Sequence, residues 1–152
     1  MNEATLLNSE ELAAWRGLLR VHAGLTKALD AELLREHDLP LSSYEVLLFL
    51  ADSPGGRLRM SELADGVLLS RSGLTRLVDR MERDGLLRRE RCEDDQRGYF
   101  AEITDEGRAL FGRARKTHLD GVRERFLGHL SREEQRTLAG LWEKVRPGAA
   151  GS

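Results

Sequence analysis

From Asn8 to about Glu36 the apolar residues Leu12, Trp15, Leu18, Leu19, Leu25, Leu29 and Leu33 recur mostly at steps of three and four, the spacing of one helix face. Asn8 can accept from the first free amides of that helix while Glu11 reaches back, a variant of the capping box. The stripe is longer than one compact core requires, which leaves part of it for a partner subunit. Leu39-Pro40 ends the segment, and Ser42 with Glu45 reads as a capping box opening a second helix through Leu50. Ser53-Pro54-Gly55-Gly56 breaks it, and Arg57-Leu58-Arg59 reads as a short edge strand. A third helix, Met60 to Val67, is joined by Leu68-Leu69-Ser70 to a fourth from Arg71 to Asp84, which Gly85 stops. Leu86 to Arg91 and Tyr99 to Ile103 form a hairpin around the polar loop 92–98. Thr104 then caps a long helix to about Leu127, and Ser131 with Glu134 caps a last one to about Val145. The expected architecture is mainly α with a small β-hairpin, followed by a flexible tail at 147–152.

With 152 residues, 40% hydrophobic and 33% charged, the chain has the balance of a globular domain rather than of a disordered one. Its formal net charge of -2 argues at first against nucleic acid. The distribution reverses that impression: between Ser70 and Arg91 seven arginines stand against four acids, inside an otherwise acidic chain. The N-terminal residues lack the basic start and apolar run of a signal peptide, and no stretch is apolar enough to span a bilayer, so a cytoplasmic location without membrane contact is expected. Cys92 is the single cysteine, which excludes an intrachain disulfide. None of His22, His37, His118 and His129 are paired at i and i+4, so no metal site and no cofactor are expected. Glycine-rich phosphate loops and nucleophile–base arrangements are also missing, so the chain does not read as an enzyme and no catalytic residue is assigned.

The fourth helix carries the functional signal. Leu74, Leu77, Val78 and Met81 occupy i, i+3, i+4 and i+7, and Ser72, Thr75, Arg76 and Asp79 repeat that spacing two positions earlier. Two residues are about 200° of helix rotation, so one set packs while the other projects. Short hydroxyls and guanidinium groups suit base edges and phosphates in a major groove. A charged outer face is also what any amphipathic surface helix shows; the basic hairpin that follows separates the readings, because helix pair, recognition helix and hairpin together make a winged helix-turn-helix.

Ser61-Glu62-Leu63-Ala64, the run Ser70-Arg71-Ser72-Gly73-Leu74-Thr75-Arg76-Leu77-Val78-Asp79-Arg80-Met81, then Asp95-Gln96-Arg97-Gly98 and Ile103-Thr104-Asp105-Glu106-Gly107 resemble the multiple-antibiotic-resistance regulator (MarR) family. The resemblance covers nearly the whole chain. It implies a homodimeric transcription regulator, acting as a repressor on a pseudo-palindromic operator in double-stranded DNA. Segments 8–36 and 104–146 would be dimerisation helices and 40–103 the winged domain. Ser70, Arg71, Ser72, Thr75, Arg76 and Arg80 would meet DNA from the recognition helix, with Arg97 entering the minor groove from the wing and Asp95 holding it.

The resemblance further implies a cleft for a small aromatic or phenolic effector, bounded by helices that carry Trp15, Arg16, His22, Tyr44, Arg115 and His118. Structurally, Trp15 and Tyr44 are more often core or interface packing, and His22 reads as a packed core histidine. Two alternatives stay open. Cys92 beside Arg89 and Arg91 offers a redox response, which Glu93, Asp94 and Asp95 oppose. A winged helix can also serve protein contact instead of DNA.

Overall fold

The computed structural model describes residues 6–67, 69–93 and 98–151. Asp95 and Arg97 of the expected wing contact therefore lie outside the described residues. The element order is α1 (Ser9–His37), α2 (Leu41–Ala51), β1 (Arg57–Arg59), α3 (Met60–Gly66), α4 (Arg71–Arg83), β2 (Leu87–Arg91), β3 (Tyr99–Ile103), α5 (Asp105–Arg125) and α6 (Arg132–Val145), with single 3-10 turns at Pro54–Gly56 and Leu127–His129. The chain divides into two units, residues 30–118 and residues 1–29 with 119–152.

Local chemistry accounts for most element ends. The Asn8 and Glu11 side chains exchange hydrogen bonds with each other's backbone amides at 2.8 and 2.9 Å, and Ser131 and Glu134 do the same at 2.7 and 3.1 Å. The α1 C-terminus turns on Asp38 at φ 52°, a left-handed position that aspartate tolerates better than most residues. The Leu39 amide then closes back onto the Leu33 carbonyl at 3.4 Å. The expected Ser42–Glu45 box does not form. α2 starts two residues earlier, behind Pro40 as its N-cap, and the Leu41 amide donates to Asp30 Oδ1 at 2.8 Å. A carboxylate from α1 thus replaces the local serine cap. Proline suits the N-cap position here because its fixed φ of -60° leads into the helix.

The hairpin is part of a three-stranded antiparallel sheet in the order β1-β3-β2. Arg57, Leu58 and Arg59 face Glu102, Ala101 and Phe100, while Leu87 faces Ile103 and Arg91 faces Tyr99. Leu87, Ala101 and Ile103 turn inward and join Leu33, Val46, Leu47, Leu50, Leu63, Leu74, Val78 and Met81 in one core within 30–118.

The other unit is built differently. Among its described residues Leu29 is the only buried hydrophobic one, whereas Trp15, Leu18, Leu19, Val21, Leu141 and Val145 are exposed. Residues 147–151, expected to be flexible, form turns in which Glu143 accepts from the Gly148 and Ala150 amides at 2.8 and 2.7 Å. Among the described residues no helix is long and apolar enough to cross a membrane, and no cluster of metal-ligating side chains is present.

Candidate nucleic-acid interface and effector site

Ser70 begins α4 by accepting the Gly73 amide on its Oγ at 3.1 Å. Leu74, Leu77, Val78 and Met81 are buried below it, and Ser72, Thr75, Arg76 and Arg80 are exposed on the opposite side. The split read from the sequence therefore holds for seven of the eight positions that define it, Asp79 being half-buried. Thr75 uses its hydroxyl proton on the Arg71 carbonyl at 2.9 Å, which leaves its oxygen lone pairs facing outward as acceptors. Arg71, Arg76 and Arg80 have no carboxylate partner among the described residues. A groove of about 230 Å³ lies between α3 and the start of α4, lined by Met60, Ser61, Ala64, Arg71, Leu74 and Thr75.

Asp79 departs from the expected outer face. Its carboxylate takes the guanidinium of Arg89 on β2 at 2.6 Å, and Glu82 takes the same group at 3.1 Å and the Arg89 amide at 2.8 Å. The backbone hydrogen bond from Arg89 is the main reason the Glu82 carboxyl sits below its usual range. One arginine thus clamps the wing strand to the recognition helix. Arg88 is likewise occupied, by Glu102 at 3.3 Å and Glu90 at 3.7 Å. Two of the three β2 arginines in the basic excess counted along the sequence are thus engaged by carboxylates, which leaves α4 with its larger unpaired share.

A second junction fixes the other end of the wing. Gly85 at φ 77° ends α4 with its amide on the Glu82 carbonyl and the Leu86 amide on Met81, both at 3.0 Å. Thr104 donates its hydroxyl to the Gly85 carbonyl at 2.6 Å and accepts the Gly107 amide at 3.0 Å as the cap of α5. A Cβ at residue 107 would collide with the Leu86 carbonyl oxygen, so only glycine lets α5 approach so closely.

Of the six residues expected at an effector cleft, the structure brings three together. Phe111, Arg115 and His118 share a face of α5, and Tyr44 packs its ring 4.5 Å from His118 and 5.4 Å from Phe111. The Arg115 guanidinium lies 5.9 Å from the Phe111 ring. His118 Nδ1 is buried without a hydrogen-bond partner, and burial pushes the imidazole below its usual pKa and the Tyr44 phenol above its own. Phe111 was missed by the sequence reading, although its i, i+4, i+7 spacing with Arg115 and His118 was there to be read. Trp15, Arg16 and His22 lie in the other unit and are all exposed in the single chain. The packed-core expectation for His22 is thereby corrected: among the described residues of that unit only Leu29 supplies a buried hydrophobic side chain. Cys92 is buried, 5% exposed, and its amide donates to the Gly98 carbonyl at 3.0 Å.

A capped helix pair leading into a two-faced helix and a three-stranded sheet defines a winged helix-turn-helix. The MarR family model matches residues 37–98, spanning α2 to the end of the wing loop. The structure is similar to that of Sco3205, a MarR family transcriptional regulator from Streptomyces coelicolor solved in complex with DNA. That likeness has a TM-score of 0.88 at 38% identity and covers 94% of this chain and 93% of that one. The HTH-type transcriptional regulator PecS of Dickeya dadantii is 30% identical over 95% of this chain and 86% of its own length. The homoprotocatechuate degradative operon repressor of Escherichia coli is 30% identical over 74% of each. The chain belongs to the MarR family, whose members are transcription regulators and not enzymes.

Proposed function

We propose that this chain is a repressor that binds a pseudo-palindromic operator as a homodimer and releases it when a small aromatic acid or phenol binds. The observation that carries the reading is the exposed, unpaired set Arg71, Arg76 and Arg80 beside Ser70, Ser72 and Thr75 on a helix whose opposite face is fully buried. The DNA complex of Sco3205 supports placing that helix in a major groove. Arg97 is assigned to the adjacent minor groove and Asp95 to holding it. A largely unburied unit, with Trp15, Leu18, Leu19 and Leu141 exposed, supports the second copy. Two-fold symmetry would set half-sites about 10 bp apart, centre to centre.

For the effector, Tyr44, Arg115 and His118 supply a ring, a cation and a buried nitrogen in need of a partner, complementary to an aromatic carboxylate or phenolate. The likeness to a repressor of homoprotocatechuate degradation supports both repression and this ligand class. The test is selection of duplexes from a random pool by the purified protein, followed by titration at one fixed salt concentration with and without salicylate as the probe. Selective binding weakened by salicylate is expected. Binding with no sequence preference would reject the regulator reading in favour of a protein-contact winged helix. Binding indifferent to salicylate and to other aromatic acids would reject the effector.

A further inference from the structure

The outer face of the wing sheet carries two cross-strand rows, Arg57–Glu102–Arg88 and Arg59–Phe100–Glu90. Their charges are distributed unevenly. Arg88 is bound to both Glu102 and Glu90, which leaves no free cation in that group. On the β1 side the Arg57 guanidinium lies 4.0 Å and that of Arg59 5.4 Å from the centroid of the single Phe100 ring. Neither has a carboxylate partner among the described residues. Stacking on a ring restricts a guanidinium without consuming its five donors, so these two cations are pre-positioned yet free to bind. The acid that Arg57 faces across the strands is the one already taken by Arg88, so the edge stays positive in a chain of net charge -2.

The position of this edge suggests its partner. Phe100 is two residues beyond Gly98, so its row stands about 7 Å along the strand from the end of the wing loop. If the loop enters a minor groove, that row is level with the phosphates bordering it.

We propose that Arg57 and Arg59, held on Phe100, form a second DNA contact that grips backbone phosphates flanking the operator half-site without reading sequence. This rests on the DNA-binding reading above. The test uses a duplex selected by the protein from a random pool, trimmed to its protected core and then extended at both ends with arbitrary sequence. The wild type should bind the extended duplex more tightly, with a steeper dependence of log affinity on log salt. Two phosphates per subunit correspond to about 3.6 in that slope for a dimer, at 0.9 per phosphate. In Arg57→Gln/Arg59→Gln the core affinity should persist and the gain from extension should vanish. In Arg88→Gln/Glu102→Gln, which removes a neutral pair from the same face, the gain should remain. Thermal melts of both variants exclude unfolding as the cause. Equal wild-type affinity for core and extended duplexes overturns this contact alone, as does a gain that survives in Arg57→Gln/Arg59→Gln. Failure to select any duplex overturns the DNA-binding reading and this inference with it.

Discussion

Single atoms decide the geometry at the base of the wing. Gly107 lies under the Leu86 carbonyl, and because the obstacle is backbone rather than the end of a side chain, it cannot swing aside. Gly107→Ala should therefore cost about 3 kcal/mol, the upper end for an inserted carbon, read as a lower midpoint in urea unfolding. His118 makes a different kind of local statement. Burial holds its pKa below 6.5, with Glu32 acting in the opposite direction. The unfolded chain then binds a proton at a pH where the folded chain does not, so stability should fall as the pH drops through the interval below 6.5. His118→Phe, which stays neutral, should flatten the slope of unfolding free energy between pH 5 and 7. An unchanged slope would place the titration on another group.

At the scale of elements, α4 separates packing from recognition cleanly enough for two substitutions to read different quantities. Leu77 is 4% exposed, and Leu77→Ala should lower stability by about 2 to 5 kcal/mol while leaving the ranking of operators unchanged. Arg76→Ala should leave the melting temperature in place and cost about 1 to 3 kcal/mol of specific affinity, with relaxed preference at one base pair. Equal losses on specific and random DNA would make Arg76 a phosphate contact instead. This helix was legible in the sequence because a 3.6-residue period encodes both faces within a few turns, and the caps Asn8, Ser131 and Thr104 were legible because their partners lie three residues away. Contacts that close over longer distances were not. Asp30 capping α2 and Arg89 clamping Asp79 and Glu82 depend on where a helix or strand lands in space. For Arg89 a faint signal existed, a charged residue two places after the buried Leu87 and thus on the inward side of its strand. Phe100 gave none, since its role depends on β1 pairing with β3 rather than with a sequence neighbour.

On the scale of the whole molecule, the decisive fact is how unevenly burial is shared between the two units. Residues 30–118 hold a continuous core, whereas the unit formed by 1–29 and 119–152 leaves Trp15 at 52% and Leu141 at 50% exposed. Isolated helices in water gain little from propensity alone, so helices as long as α1 and α5 need a packed face to persist. In the homodimer proposed above a second copy would supply that face, and the apolar positions of α1 and α6 are the ones it would cover. The expected solution species is therefore twice the 17.1 kDa of one chain, with a melting temperature that rises with protein concentration because association is coupled to folding of this unit. Leu18→Glu/Leu141→Glu places charge on both exposed faces and touches nothing in the core of 30–118. It should yield the smaller species by light scattering, keep a folded winged domain by hydrogen exchange, and bind the operator 10² to 10⁴ times more weakly, about the loss expected when two linked half-site contacts become independent. A variant that stayed dimeric would move the interface elsewhere. A monomer that kept full affinity would mean that one recognition helix suffices, and the operator would then need no symmetry.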